Sequence, residues 1–136
     1  MKRKMFMVLF ALLLSLSLAG CSSEGAATSK EMRDILTDAG YVLEARDSDA
    51  MAYYQENVLL DTYDIDATVK ELYVGYINST ERWVELIVLA DGDQAAVYAQ
   101  AIYAEGATGK LVVVDGPVVL LTYSTDTVNL FPVEKG

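Results

Sequence analysis

The pattern of apolar and polar positions changes period several times along the chain, and each change marks an element. Met5 to Leu18 read MFMVLFALLLSLSL, apolar apart from two serines, after the basic Lys2, Arg3 and Lys4. A basic head and a short apolar run have the layout of an export signal, and the run falls short of the about 20 apolar residues a bilayer-spanning helix needs. Ser22 to Thr28, SSEGAAT, has no period and predicts a flexible tether reaching roughly 15 Å. Met32, Ile35, Leu36 and Ala39 then recur at helical spacing, with Thr28 and Glu31 as a capping box and Gly40 as the left-handed stop. Tyr41 to Ala45 has strand composition.

Asp47 to Asn57 predicts a short helix, with Ser48 or Asp49 as its cap and Ala50, Met51, Tyr53 and Tyr54 on it. Between Thr68 and Asn78 two periods overlap, because Val69, Leu72, Tyr73 and Tyr76 fit a helix while Leu72, Val74 and Tyr76 alternate. The expectation is a turn of helix capped by Asp66, then a strand from about Leu72. Asn78 to Thr80, NST, reads as a turn between strands. Trp83 to Ala90, WVELIVLA, is a strand, and Asp91 with Gln94 caps a helix over GDQAAVYAQAIYAE, whose stripe is Val97, Tyr98, Ala101 and Ile102 and whose stop is Gly106. KLVVVDGPVVLLTY carries two strands around Asp115, Gly116 and Pro117. There a bulged or longer loop is expected, since Pro117 has no amide to bond back to Val114.

The order helix, strand, short helix, strand, strand, helix, strand, strand predicts an α+β domain. Its antiparallel sheet has about four or five strands, with two or three helices mainly on one face. In the strand 83–90, Val84, Leu86, Val88 and Ala90 oppose Trp83, Glu85, Ile87 and Leu89; in the last, Val118 and Leu120 oppose Val119, Leu121 and Tyr123. Both faces are mostly apolar, whereas a sheet with one wet face shows polar residues at every second position. Either the segment 47–57 folds over the second face, or that face meets a protein partner or a second copy of the chain.

The apolar run ends in Leu18, Ala19, Gly20 and Cys21, and Cys21 is the chain's one cysteine. This tetrad resembles the lipobox of bacterial lipoproteins, in which the cysteine is acylated through its sulfur and becomes the first residue after cleavage. The chain is also similar to small Gram-positive lipoproteins of unknown function, through the lipobox and through YDID followed by a strand pair and a helix. The resemblance implies a signal peptide over 1–20, a lipidated tether over 21–28 and one domain over 29–136. It also implies a body held at the extracytoplasmic side of the cell membrane by Cys21. Loss of Lys2, Arg3 and Lys4 with the signal takes the net charge from −10 to −13, which repels nucleic acid and anionic headgroups.

Chemistry is scarce. The chain has no histidine, which removes the commonest general base and zinc ligand. Gly106 to Lys110, GATGK, lacks the first glycine and the hydroxyl of a phosphate loop. Asp61, Asp64 and Asp66 in DTYDID are hard oxygen ligands and weak calcium candidates, set against a solvated loop; no cofactor is implied. The nine tyrosines read as core-edge packing, and Tyr73 and Tyr76 fall on opposite faces of a strand. These features favour a non-catalytic binding or assembly module over its alternatives, a lipid-anchored enzyme using paired carboxylates or a structural envelope protein.

Overall fold

The computed structural model describes residues 25–77, 82–106 and 109–131. The signal segment, the lipobox with Cys21 and the NST turn lie outside the described residues, as does part of GATGK. Helix α1 covers 25–38, followed by β1 (Val42–Ala45), α2 (Ser48–Tyr53) and a π-helical segment (Tyr54–Thr62) that continues α2. Then come β2 (Val69–Ile77), β3 (Arg82–Leu89), α3 (Gly92–Glu105), β4 (Leu111–Asp115), β5 (Val118–Thr122) and α4 (Thr125–Val128). The five strands form one sheet in the order β1-β2-β3-β5-β4, antiparallel at every pairing. This is an α+β fold, and α3 carries the chain across the sheet so that β5 returns into the gap between β3 and β4. Among the described residues no helix is long and apolar enough to cross a membrane.

The helices do not gather mainly on one face. Val84, Leu86, Val88, Val118 and Leu120 pack under α1 through Met32 and Leu36, with Phe131 following α4. On the opposite face Ile87, Leu89, Val119 and Leu121 pack under Ala95, Tyr98, Ala99 and Ile102 of α3 and Tyr54 and Leu59 of the π-helical segment. Two apolar faces require two covers, and the segment beginning at Asp47 supplies part of the second. Ile87 and Val119 have no exposed surface and Leu89 has 1%, so this part of the face is covered within the chain. The α3 stripe is offset from expectation: Val97 is 53% exposed, and Ala95 and Ala99 face inward. Small residues at those positions let α3 lie close to the sheet.

The helix α1 already includes residues 25–28, so Thr28 does not cap it and the tether cannot extend to Thr28. Gly25 is buried, and a Cβ there would stand 3.1 Å from Pro117 Cγ, which anchors the first turn to the sheet. The other end is a Schellman motif: the Gly40 amide donates to the Thr37 carbonyl and the Tyr41 amide to that of Leu36. Gly40 and Gly106 both have positive φ, 106° and 66°, as their places beyond helix ends predict. A Cβ at either meets nothing closer than 3.9 Å, so the cost of a side chain there is backbone strain. Gly40→Val and Gly106→Val are each expected to lower stability by about 1–2 kcal/mol, read from thermal melting.

Three local expectations are corrected. Asp47, rather than Ser48 or Asp49, caps α2, its carboxylate accepting from the Ala50 amide at 2.9 Å. No helical turn follows Asp66: Ile65, Ala67 and Val69 are buried while Asp66, Thr68 and Lys70 are exposed, a period of two that leads into β2 earlier than Leu72. The β4–β5 turn is a tight two-residue one, because Asp115 pairs with Val118 and Pro117 falls at the second turn position, where no amide is needed. Gly116, at φ 59°, supplies the positive φ that the first position of a type II′ turn demands.

Candidate functional site

At the Trp83 end of the second face, the covers part and leave a cleft of about 660 Å³. Its floor is the sheet: Leu72 and Val74 of β2 stand beside Trp83 and Glu85 of β3, with Val74 directly opposite Glu85. One wall comes from Ala50, Tyr53, Tyr54 and Val58, and Arg46, Lys110 and Tyr123 complete the lining. Trp83 and Tyr123 lie with ring centroids 5.5 Å apart and planes at 36°.

The π-helical backbone places Tyr54 over Glu85. The Tyr63 amide reaches back five residues to the Val58 carbonyl, at 3.2 Å, the pattern of a π-helix, which recurs at functional sites. Tyr54 and Leu59, five apart, both point into the core; on an α-helix they would diverge by about 140°. The segment is closed by Asp64 in the left-handed region at φ 59°, a conformation aspartate tolerates. Its amide donates to the Leu60 carbonyl and that of Ile65 to Leu59.

Tyr54 donates its hydroxyl proton to Glu85 Oε1 at 3.0 Å, and its oxygen lies 2.5 Å from that of Tyr98. A tyrosine has one proton, so while Tyr54 donates to Glu85, Tyr98 must donate to Tyr54. The result is a relay from α3 through the π-helical segment to β3. Burial pushes the Glu85 carboxyl above its ordinary pKa, against the opposing pull of the Tyr54 hydrogen bond and the Lys110 charge. Burial and the neighbouring Glu85 also hold the Tyr54 hydroxyl well above its ordinary value, and burial raises Tyr98. Tyr63 packs edge-on against Tyr98, donates to Glu105 at 2.9 Å, and is pushed up to about 12 mainly by burial. The hydroxyls therefore stay protonated at neutral pH and act as donors. Among the described residues, Glu85 is the one carboxyl lining the cleft.

A carboxyl whose pKa rises on folding holds its proton more tightly in the native state. Its contribution to stability is greatest below the ordinary glutamate pKa and declines as pH climbs through the raised value. Glu85→Gln, which mimics the protonated form, is expected to melt at least as high as the native chain at pH 7 and to lose that advantage near pH 4. A variant clearly less stable at pH 7 would show that the ionised carboxylate is needed for folding.

The calcium candidates do not converge on a site. Asp61, Asp64 and Asp66 are exposed, and among the described residues no group of three acidic or metal-binding side chains is placed to hold an ion. The tyrosines divide: Tyr41, Tyr54 and Tyr98 are buried, while Tyr53, Tyr76, Tyr103 and Tyr123 are substantially exposed. Tyr73 and Tyr76 do face opposite ways, Tyr73 packing with the α1 core beneath the Arg33 guanidinium, 4.5 Å from its ring centre. Sequence patterning did not assign a site role to Glu85, Tyr54, Tyr98, Arg46 or Lys110. The usable signal was Glu85 itself, a charged residue on the same strand face as Trp83, Ile87 and Leu89. No protein-family model, curated protein or solved structure matches the chain.

Proposed function

We propose that this chain is a lipid-anchored, extracytoplasmic binding module of the bacterial cell envelope, without catalytic activity, whose cleft receives a small amphipathic molecule. The observation that carries the binding role is the cleft, mostly apolar and aromatic, with one carboxyl on its floor, that carboxyl's tyrosine donor on a wall and two basic side chains completing the lining, the composition of a ligand site of ordinary volume. The lipobox tetrad ending at Cys21 supports the anchor. Against an acid/base enzyme stands the lining: one carboxyl, with hydroxyls held protonated, is not the pair of carboxylates such catalysis uses. An assembly role through the apolar sheet draws less support, since the central strands of both faces pack under helices of the chain.

Trp83 is the chain's one tryptophan, and it lines the cleft, so its emission reports occupancy. The full chain in dodecyl maltoside, titrated with amines, alcohols, carboxylates, sugars and short peptides, is expected to show a saturable change in emission with at least one class. A Trp83 signal indifferent to all of them, with an unchanged melting temperature, would remove the binding role.

A further inference from the structure

Within the proposed binding role, the cleft's chemistry narrows the ligand. An ionised carboxylate has about four acceptor positions on its two oxygens, and the Tyr54 hydroxyl takes one of them, at Glu85 Oε1. Acceptor capacity therefore remains on a group that lines the cleft. Around it stand Tyr53, Tyr54, Trp83 and Tyr123, whose ring faces carry negative charge density and attract cations.

The two basic groups in the lining do not reverse this preference. The Arg46 side chain is 42% exposed and lies 3.8 Å from Glu44, so its charge is partly offset by that carboxylate and screened by solvent. Lys110 acts on Glu85 through space, lowering its pKa against the effect of burial, and so favours the ionised form that a cation would meet. The chain as a whole carries a net charge of −10, a field that draws cations and repels anions.

We propose that the cleft binds a small protonated amine, its ammonium donating to Glu85 and its alkyl or aryl body lying against Trp83, Tyr123 and Tyr53. Binding favours the ionised carboxylate. Affinity should therefore fall as Glu85 takes up its proton, in a cleft that Tyr53, Tyr54, Tyr123, Arg46 and Lys110 also line, while the Tyr54 and Tyr98 hydroxyls, raised by burial, stay protonated.

The test uses the full chain in dodecyl maltoside at pH 7.5, with Trp83 emission as readout and butylamine, cadaverine and phenethylamine as probes against butanol, pentane-1,5-diol and 2-phenylethanol. The amines are expected to bind at least roughly tenfold more tightly than their alcohols, the scale of one charge-assisted hydrogen bond. Glu85→Gln should abolish that preference with the fold intact by circular dichroism. Tyr123→Ala, at a position 51% exposed, should weaken amine binding several-fold without unfolding. Equal binding of amines and alcohols, or an undiminished preference in Glu85→Gln, would overturn the assignment. Preference for butyrate or inorganic phosphate would also overturn it, making the cleft an anion site on Arg46 and Lys110 while leaving the binding role intact. Silence toward every class would remove both.

Discussion

Ile87→Glu is expected to unfold the domain outright. Ile87 sits in β3 between β2 and β5, opposite Leu72 on one side and Val119 on the other, with no exposed surface. Truncating such a residue alone costs about 2–5 kcal/mol. Glutamate adds the desolvation of a carboxylate among Leu89, Tyr98 and Leu121 with no partner prepared for it. Domains of this size have only about 5–15 kcal/mol to lose. Leu89→Glu should do the same, while Val97→Glu, on the outer side of α3, should change stability by less than about 0.5 kcal/mol. Near-UV circular dichroism and thermal melting distinguish the three. A folded Ile87→Glu chain would mean that α3 and the π-helical segment do not cover this face, and sedimentation of that variant would show whether a dimer had done so instead.

The contrast between β3 and the segment 47–68 explains what patterning along the chain could and could not reveal. In β3 and β5 the side-chain period is two, and the division of Val84, Leu86 and Val88 from Ile87 and Leu89 separates the two cores. Helix α3 was equally legible, from its Asp91 cap, where the Gln94 amide donates at 2.9 Å, to its stop at Gly106. Its exposed and buried faces were less so, because alanine is compatible with both. The π-helical segment follows neither familiar period: Tyr54 and Leu59 share a face only when the backbone bonds five residues back. The cleft depends on that segment, on Arg46 after β1, on Lys110 before β4 and on Tyr123 after β5. Those residues meet only through the strand order β1-β2-β3-β5-β4, which no local pattern encodes. Gln94 illustrates the same limit. As a capping-box residue it should reach back to the Asp91 amide, yet its Oε1 accepts from the amide of Ala90, one residue before the cap, at 3.4 Å and from that of Thr68, 26 positions away, at 3.1 Å.

Cys21→Ser is expected to release the protein from the membrane fraction and to block its processing, the largest change any single substitution should make to where it resides. The apolar run Met5–Leu18 is too short to serve well as a permanent span, and among the described residues no helix can take its place. On the proposed anchor, retention depends on acyl chains carried by the sulfur. Each buried methylene contributes about 0.8 kcal/mol, so that one chain holds marginally and two hold stably. Serine keeps the size and polarity of the side chain but has no sulfur to acylate. Separating membranes from soluble material and comparing the masses of the native chain and the Cys21→Ser variant tests both halves, since cleavage before residue 21 and acylation shift the mass in opposite directions. Helix α1 already includes residue 25, beside Pro117 and Val88, which leaves at most Ser22, Ser23 and Glu24 between Cys21, the proposed site of lipidation, and α1. The domain should therefore stand closer to the bilayer than a tether extending to Thr28 would place it. Limited proteolysis of the anchored protein should find few cleavable bonds before α1. A Cys21→Ser chain that is processed normally and stays with the membrane would exclude the lipid anchor, and retention would have to come from the apolar run itself.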